Sequence, residues 1–359
     1  MKQGLPAKFL LIPGLMAFLF LILTFLPKLL PQEGEYKKDQ AYLNSVMEKL
    51  LPKEPLAEIK YPIQGYRIPG IGGFCWLESS SGLMKYLEPD IDFDTFVFYG
   101  RPTLMMAKRN IKERWGPGLN QIHAFVQLGY TPFRGSTSPI DLPQSVFPDI
   151  PQQNLIYFKT KDEELLFMKK LISAKIIPTI SYGKDFSTIV GYNQKGVWIV
   201  RSDARQTDKE GRNFMTPAVP FEPFFTTYEE FFKNWRGDYQ FFWFIKTGQR
   251  KSENEVYREN KKNAQEAPEN LKLVIDYLKK GGDLLDFTFE LDIPSAIVLH
   301  RYFAKKGNPE LARVYLEIAK VYDEQRVSLG IEGKLTREFV IKTLEKTLPF
   351  YQKASTLWP

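Results

Sequence analysis

The sequence has very little of the chemistry on which disulfides and metal sites depend. Its 359 residues include one cysteine and two histidines. One cysteine cannot form an intrachain disulfide, so the fold must depend on its hydrophobic core. Two histidines and one cysteine also exclude a zinc site of ordinary composition. We therefore expect neither a metal nor a cofactor.

Long runs of one charge are also missing. Lys and Arg total 49 and Asp and Glu total 42, which gives a net charge of +7. The densest basic stretch, residues 246–262, is interrupted by Glu253, Glu255 and Glu259. This pattern predicts a solvated linker and no nucleic-acid partner, with nucleic-acid binding as the weaker alternative. A hydrophobic fraction of 43% excludes disorder for most of the chain.

The N-terminal region contains one long apolar run. Residues 9–27 carry no charge, and Lys2 and Lys8 precede them. At 1.5 Å per residue, about 18 apolar residues span a bilayer core. Small residues typical of a signal-peptide cleavage site are missing between Phe18 and Gly34. We predict an uncleaved transmembrane helix within residues 1–30 that holds the soluble part outside the cytoplasm. The alternative is a cleaved signal peptide and secretion.

The length and the change of periodicity along the chain predict two folded domains. We assign residues 31–60 to a spacer, 61–247 to an α+β domain, 248–267 to the charged linker and 268–359 to an all-α domain. In the α+β domain, residues 162–174 have helical periodicity and precede the β-branched run 176–180. Residues 188–192 and 197–200 flank a turn sequence and predict a hairpin.

The all-α domain contains two clear helical patterns, at residues 294–306 and 309–324. Residues at the packing positions, together with Gly307 in the turn, follow the spacing of a tetratricopeptide helical pair: Leu299, Phe303, Ala312, Leu316 and Ala319. One repeat has no neighbours against which to bury its faces. An ordinary helical hairpin packed on the first domain is therefore an equal alternative.

The cysteine has the sequence context of a nucleophile. Gly72-Gly73-Phe74-Cys75-Trp76 opens a helical pattern that begins at Cys75 and continues to Leu87. A thiol at a helix N-terminus has a lowered pKa because the helix dipole and the free amides favour the thiolate. Glycines in front of it allow a substrate backbone to approach closely.

Two further blocks follow in a characteristic order. Asp185-Phe186-Ser187-Thr188-Ile189-Val190-Gly191-Tyr192 comes after the strand pattern at 176–181, and Val197-Trp198-Ile199-Val200-Arg201-Ser202-Asp203 completes the set. With the Cys75 segment, residues 61–247 resemble papain-like cysteine peptidases, in particular the bacteriocin-leader (double-glycine) peptidases and their exported relatives. The resemblance implies a papain-like fold with Cys75 as the nucleophile. It also implies that Gln64 helps to form an oxyanion hole, although eleven residues separate it from Cys75, more than is usual in the family.

The chain departs from this family at the position of the catalytic histidine, where it has Asp185. A carboxylate beside a thiolate repels it and raises both pKa values, so Asp185 cannot replace the imidazole. In an active relative, Asp203 would orient the base. We interpret His123 as a half-exposed helical histidine and His300 as a packing or surface residue. We therefore expect a catalytically degenerate protein whose cleft binds a peptide or protein partner. The alternative is an active thiol hydrolase or acyltransferase in which another group deprotonates Cys75.

Overall fold

A computed structural model of the chain describes residues 45–67, 75–100, 102, 121–137, 154–183, 185–201, 217–235, 241–282, 292–332 and 336–359. The chain forms two compact units, Met1–Lys49 and Leu50–Pro359. In the first unit, the described residues 45–49 are helical. The predicted membrane segment at 9–27 lies outside the described residues. Within those residues, no helix is both long and apolar enough to cross a membrane.

The second unit is built on a mixed sheet, as the predicted α+β class requires. The strands are β1 Ile59–Lys60, β2 Gly65–Arg67, β3 Tyr130–Ser136, β4 Leu155–Tyr157, β5 Thr179–Tyr182, β6 Asp185–Tyr192, β7 Gly196–Arg201, β8 Val219–Phe221, β9 Phe224–Thr227 and β10 Phe241–Lys246. The main sheet has the order β4-β3-β10-β5-β6-β7-β9, and β1 also pairs with β6. Strands β3 and β4 are parallel and the other pairs are antiparallel, including the separate pair of β2 and β8.

Local sequence signals explain much of this order. The hairpin of β6 and β7 is confirmed, with Asn193 accepting hydrogen bonds from the amides of Lys195 and Gly196 at 2.8 and 3.1 Å. The side chain of Thr227 accepts from the amide of Glu230 and caps the helix that follows β9.

Nine helices are assigned between residues 75 and 357 in the described parts of the chain. They are α1 Cys75–Leu87, α2 Phe93–Tyr99, α3 Gln121–Gln127, α4 Lys161–Ser173, α5 Tyr228–Asn234, α6 Glu253–Lys279, α7 Asp292–Lys305, α8 Pro309–Glu332 and α9 Arg337–Leu357.

Helices cover both faces of the sheet. Phe125 of α3 stacks on Phe244 of β10 with ring centroids 4.0 Å apart, while Phe167 of α4 packs on Trp243 at 5.5 Å. Successive residues of a strand point to opposite faces, so α3 and α4 lie on opposite sides of the sheet. Helix α1 packs beside α3 and along β6.

The predicted charged linker at 248–267 is wrong, because residues 253–267 form the first half of α6. Ser252 and Glu255 make a capping box at its start. The basic and acidic residues of this stretch lie mainly on the exposed face of the helix. Four residues at helical spacing face inward: Val256, Asn260, Ala264 and Ala267.

The end of the predicted spacer is also wrong, because residues from Leu56 onward belong to the sheet region. The carbonyl of Leu56 accepts a hydrogen bond from the Tyr192 hydroxyl at 2.8 Å. Strand β1 then continues the sheet beside β6. These backbone hydrogen bonds fix the segment on the folded unit.

The C-terminal helices pack in the spatial order α7, α8, α9, α6, and α7 also packs on α2. The predicted tight turn between α7 and α8 is confirmed, with Gly307 at φ +74 in the left-handed region that favours glycine. Trp358 closes this bundle: its indole donates to the Tyr315 hydroxyl at 2.8 Å and its ring meets Phe303 edge-on at 4.7 Å.

Candidate functional site

Helix α1 begins at Cys75 and ends at Leu87, as the sequence predicts. Its first amide groups have no partner within the helix, and its dipole favours negative charge at this end. Ser80, Leu83 and Met84 are buried and hold the helix against its neighbours. The backbone of Cys75 therefore has the position that an activated thiol requires.

Tyr61 shows how α1 runs relative to β6. Its amide donates to the carbonyl of Val190 near the end of β6 at 2.8 Å, and its ring lies 5.8 Å from the ring of Tyr86 in the last turn of α1. The C-terminal parts of the helix and the strand therefore meet at Tyr61.

The two elements also have matching lengths. Cys75 precedes Tyr86 by eleven residues of helix, and Asp185 precedes Val190 by five residues of strand. Both intervals correspond to about 16 Å along the element. Helix α1 contacts β6, which agrees with a parallel run of the two elements and with backbones of Cys75 and Asp185 near the same end of the sheet.

The end of β7 is the third element at this place. Arg201, its last residue, pairs with Ser187 of β6, while Asp185 pairs with Tyr182 of β5. Asp203 lies outside the described residues. Three backbone ends define the candidate site: the start of α1, the start of β6 and the strand end that precedes Asp203.

Arg201 is a charged group at this end that the sequence analysis did not single out. Its guanidinium lies 5.7 Å from the ring centroid of Tyr182. In the turn between β5 and β6, Gly183 has φ +63, and a β-carbon there would lie 3.3 Å from the guanidinium. The sequence signal that could have identified Arg201 as a site residue was its position two residues before Asp203, in the block that resembles the family.

Gln64 lies farther along α1. Its carbonyl occupies the space that a β-carbon on Gly82 would need, so Gly82 is required for this close approach. Gly82 follows Cys75 by seven residues, which corresponds to about 10 Å along the helix axis. The side-chain amide of Gln64 donates to the carboxylate of Glu222. A role for Gln64 in an oxyanion hole stays a prediction.

The two histidines lie in helices. His123 in α3 is buried, so the prediction of a half-exposed side chain is wrong; the reason is that α3 packs on β3, α2 and α1. His300 in α7 is a packing residue, with Nδ1 2.8 Å from the carbonyl oxygen of Ala312. Burial lowers the pKa of His300 and outweighs this hydrogen bond.

The described residues contain no cluster of three or more His, Cys, Asp or Glu side chains able to hold a metal. Comparison of the chain with protein-family models and with curated proteins gives no match. The candidate site is therefore defined by its own elements: the N-terminus of α1, the beginning of β6 and the end of β7.

Proposed function

We propose that the chain is a membrane-anchored, extracytoplasmic cysteine-peptidase-like protein with a papain-like domain. It has lost catalysis and uses its cleft to bind a peptide or protein partner. The observation that supports this proposal is the packing of α1 on β6, with the ends of both elements in contact with Tyr61. A nucleophile on a helix N-terminus and a base on an adjacent strand is the arrangement that a thiol peptidase needs. Here Asp185 stands at the base position.

The effects of the α1 helix dipole and of the Asp185 carboxylate on a Cys75 thiolate, taken together, favour loss of catalysis. A helix dipole stabilises an adjacent thiolate by roughly 0.3 to 1 kcal/mol, and by up to about 2 kcal/mol in partly buried geometry. A carboxylate about 4 Å away, at an effective dielectric near 20, repels the thiolate by about 4 kcal/mol. Repulsion is the larger effect, so Cys75 should titrate no lower than a free thiol, near pH 8.5.

The test is the pH dependence of iodoacetamide alkylation in the full-length protein in detergent micelles. The chain has one cysteine, so the mass of the adduct reports Cys75 alone. We expect slow alkylation at pH 6 in the native protein and faster alkylation in Asp185→His, where a thiolate–imidazolium pair forms. Asp185→Asn is the matched control, since it removes the charge without supplying a base.

Rapid alkylation of the native protein at pH 6, abolished by Cys75→Ser, would contradict the proposal. It would support the alternative, an active thiol hydrolase or acyltransferase with another base. His123→Gln then tests whether the buried histidine of α3 is that base, because α3 packs beside α1.

Binding in the cleft has a separate readout. At pH 9 the thiolate is abundant, and a peptide that covers the start of α1 should slow its alkylation. The probe is an acetylated peptide ending in Leu-Gly-Gly, chosen because the chain resembles the double-glycine peptidases. A peptide with the same composition in scrambled order is the control, and equal alkylation rates with both peptides would argue against an occupied cleft.

A further inference from the structure

A pocket of about 260 Å³ opens beside the second half of α1. Three buried apolar side chains form its floor: Met84, Ile91 and Phe96. Its polar walls come from β2, α1, α2 and α7, so the pocket lies where the helical region meets the rest of the unit. Ligand pockets usually measure about 300 to 1,000 Å³. This one is small and fits a short ligand or one end of a longer one.

Most charges around the pocket are already paired. Asp94 accepts two hydrogen bonds from Arg301, at 2.7 and 3.2 Å. Asp92 is paired with Lys305. These four groups neutralise one another, so they supply no net charge for a ligand.

Lys85 differs from these groups. Among the described residues its ammonium has no carboxylate partner, and it donates to the hydroxyl of Tyr66 at 3.2 Å. Tyr66 is itself held in place, because its amide donates to Ser81 Oγ at 3.1 Å. Within the described part of the chain, no acceptor takes the hydroxyl hydrogen of Tyr66. Two donors, one of them charged, therefore lie together at the rim of an apolar pocket.

We propose that this pocket binds a carboxylate that carries an apolar group, as at the C-terminus of a peptide ending in an aliphatic residue. The carboxylate accepts from Lys85 and Tyr66, and the aliphatic group rests on the apolar floor. Inorganic phosphate is disfavoured, because it has no apolar group to rest on the floor of the pocket. The site uses no residue at the start of α1, so it stands independently of the function proposed for Cys75.

Calorimetric titration of the full-length protein in micelles tests the ligand class. The probe is acetyl-Ala-Ala-Leu with a free carboxylate, compared with its C-terminal amide. We expect the amide to bind about fivefold more weakly, the size of an exposed ion pair. N-acetyl-leucine distinguishes two sources of the same chemistry. If it binds as well as the tripeptide, the natural ligand is a small carboxylate; if it binds more weakly, the ligand is a peptide terminus.

Substitutions test the site. Lys85→Met should weaken the binding of acetyl-Ala-Ala-Leu about fivefold, and Lys85→Arg should keep most of it. Lys262→Met, on the exposed face of α6, is the matched control and should have no effect. Ala218→Phe fills the pocket from its wall without changing charge and should abolish binding.

The proposal would be overturned by no binding of acetyl-Ala-Ala-Leu at millimolar concentration, by equal binding of acid and amide, or by inorganic phosphate competing as well as the peptide. Equal binding to native protein and to Lys85→Met would also overturn it. Lys85 is exposed, so its substitution should not disturb folding.

Discussion

Asp94 and Glu164 are both acidic residues in the first turn of a helix, α2 and α4 respectively. Asp94 makes an ion pair with Arg301 across the contact of α2 with α7. Glu164 is fully buried, and among the described residues neither of its carboxyl oxygens has a hydrogen-bond partner. Burial raises the pKa of Glu164 to about 9, and Arg134 only partly opposes this. The same local pattern thus gives a paired charge in one region and a neutral acid in the other.

The largest effect is expected at Glu164. Its pKa is raised from 4.5 to about 9 on folding. The folded state therefore holds a proton that the unfolded state releases, and stability is full below pH 4.5 and lost as pH rises toward 9. The loss is up to about 1.4 kcal/mol per pH unit. Glu164→Gln should remove this slope, which urea denaturation at pH 5, 6.5 and 8 can measure.

Asp162→Asn is the matched control for that substitution. Asp162 lies in the same turn of α4 but is exposed, so the native slope should persist in this variant. A Glu164→Gln protein whose stability still falls between pH 5 and 8 would show that another group takes up the proton.

A smaller effect is expected when the ion pair of α2 with α7 is broken. The Arg301 side chain is 7% exposed. Asp94→Asn should cost about 3 kcal/mol, because it removes the carboxylate that pairs with a buried guanidinium. The double variant Asp94→Asn/Arg301→Met should recover part of the loss. Denaturation at pH 7 measures both, and a single-variant cost below about 0.5 kcal/mol would mean that solvent already screens this pair.

The contrast of Asp94 with Glu164 also shows what sequence reasoning can predict. The sequence predicted the hairpin of β6 and β7 and the first residue of α1, because turn-forming residues and glycines indicate both locally. It missed the first half of α6, where charged residues dominate the sequence. The capping pair of Ser252 and Glu255 was the available signal.

The pocket could not be predicted in the same way. Its polar groups come from positions as distant as Tyr66, Lys85 and Arg301, and no local pattern connects them. Whether an acidic residue in the first turn of a helix forms an ion pair also cannot be predicted from local sequence. The partner of Asp94 is 207 residues away in sequence, and the burial of Glu164 depends on the sheet beneath α4.

The smallest effect is expected at Asp92, which lies beside Asp94 but combines two roles. Its carboxylate caps α2 by accepting from the amide of Thr95 at 2.8 Å, and it pairs with Lys305. Both members of this pair are about half exposed, with side-chain exposures of 53% and 45%. Such a pair contributes little, so Asp92→Asn, which keeps a capping side chain, should cost less than about 0.5 kcal/mol. Asp92→Ala also loses the cap and should cost about 1 kcal/mol. Urea denaturation of both variants at pH 7 separates the two roles. If Asp92→Asn loses as much stability as Asp92→Ala, the ion pair stabilises the fold more than the cap does. Side-chain exposure would then not explain why the ion pair of Asp94 contributes more than that of Asp92.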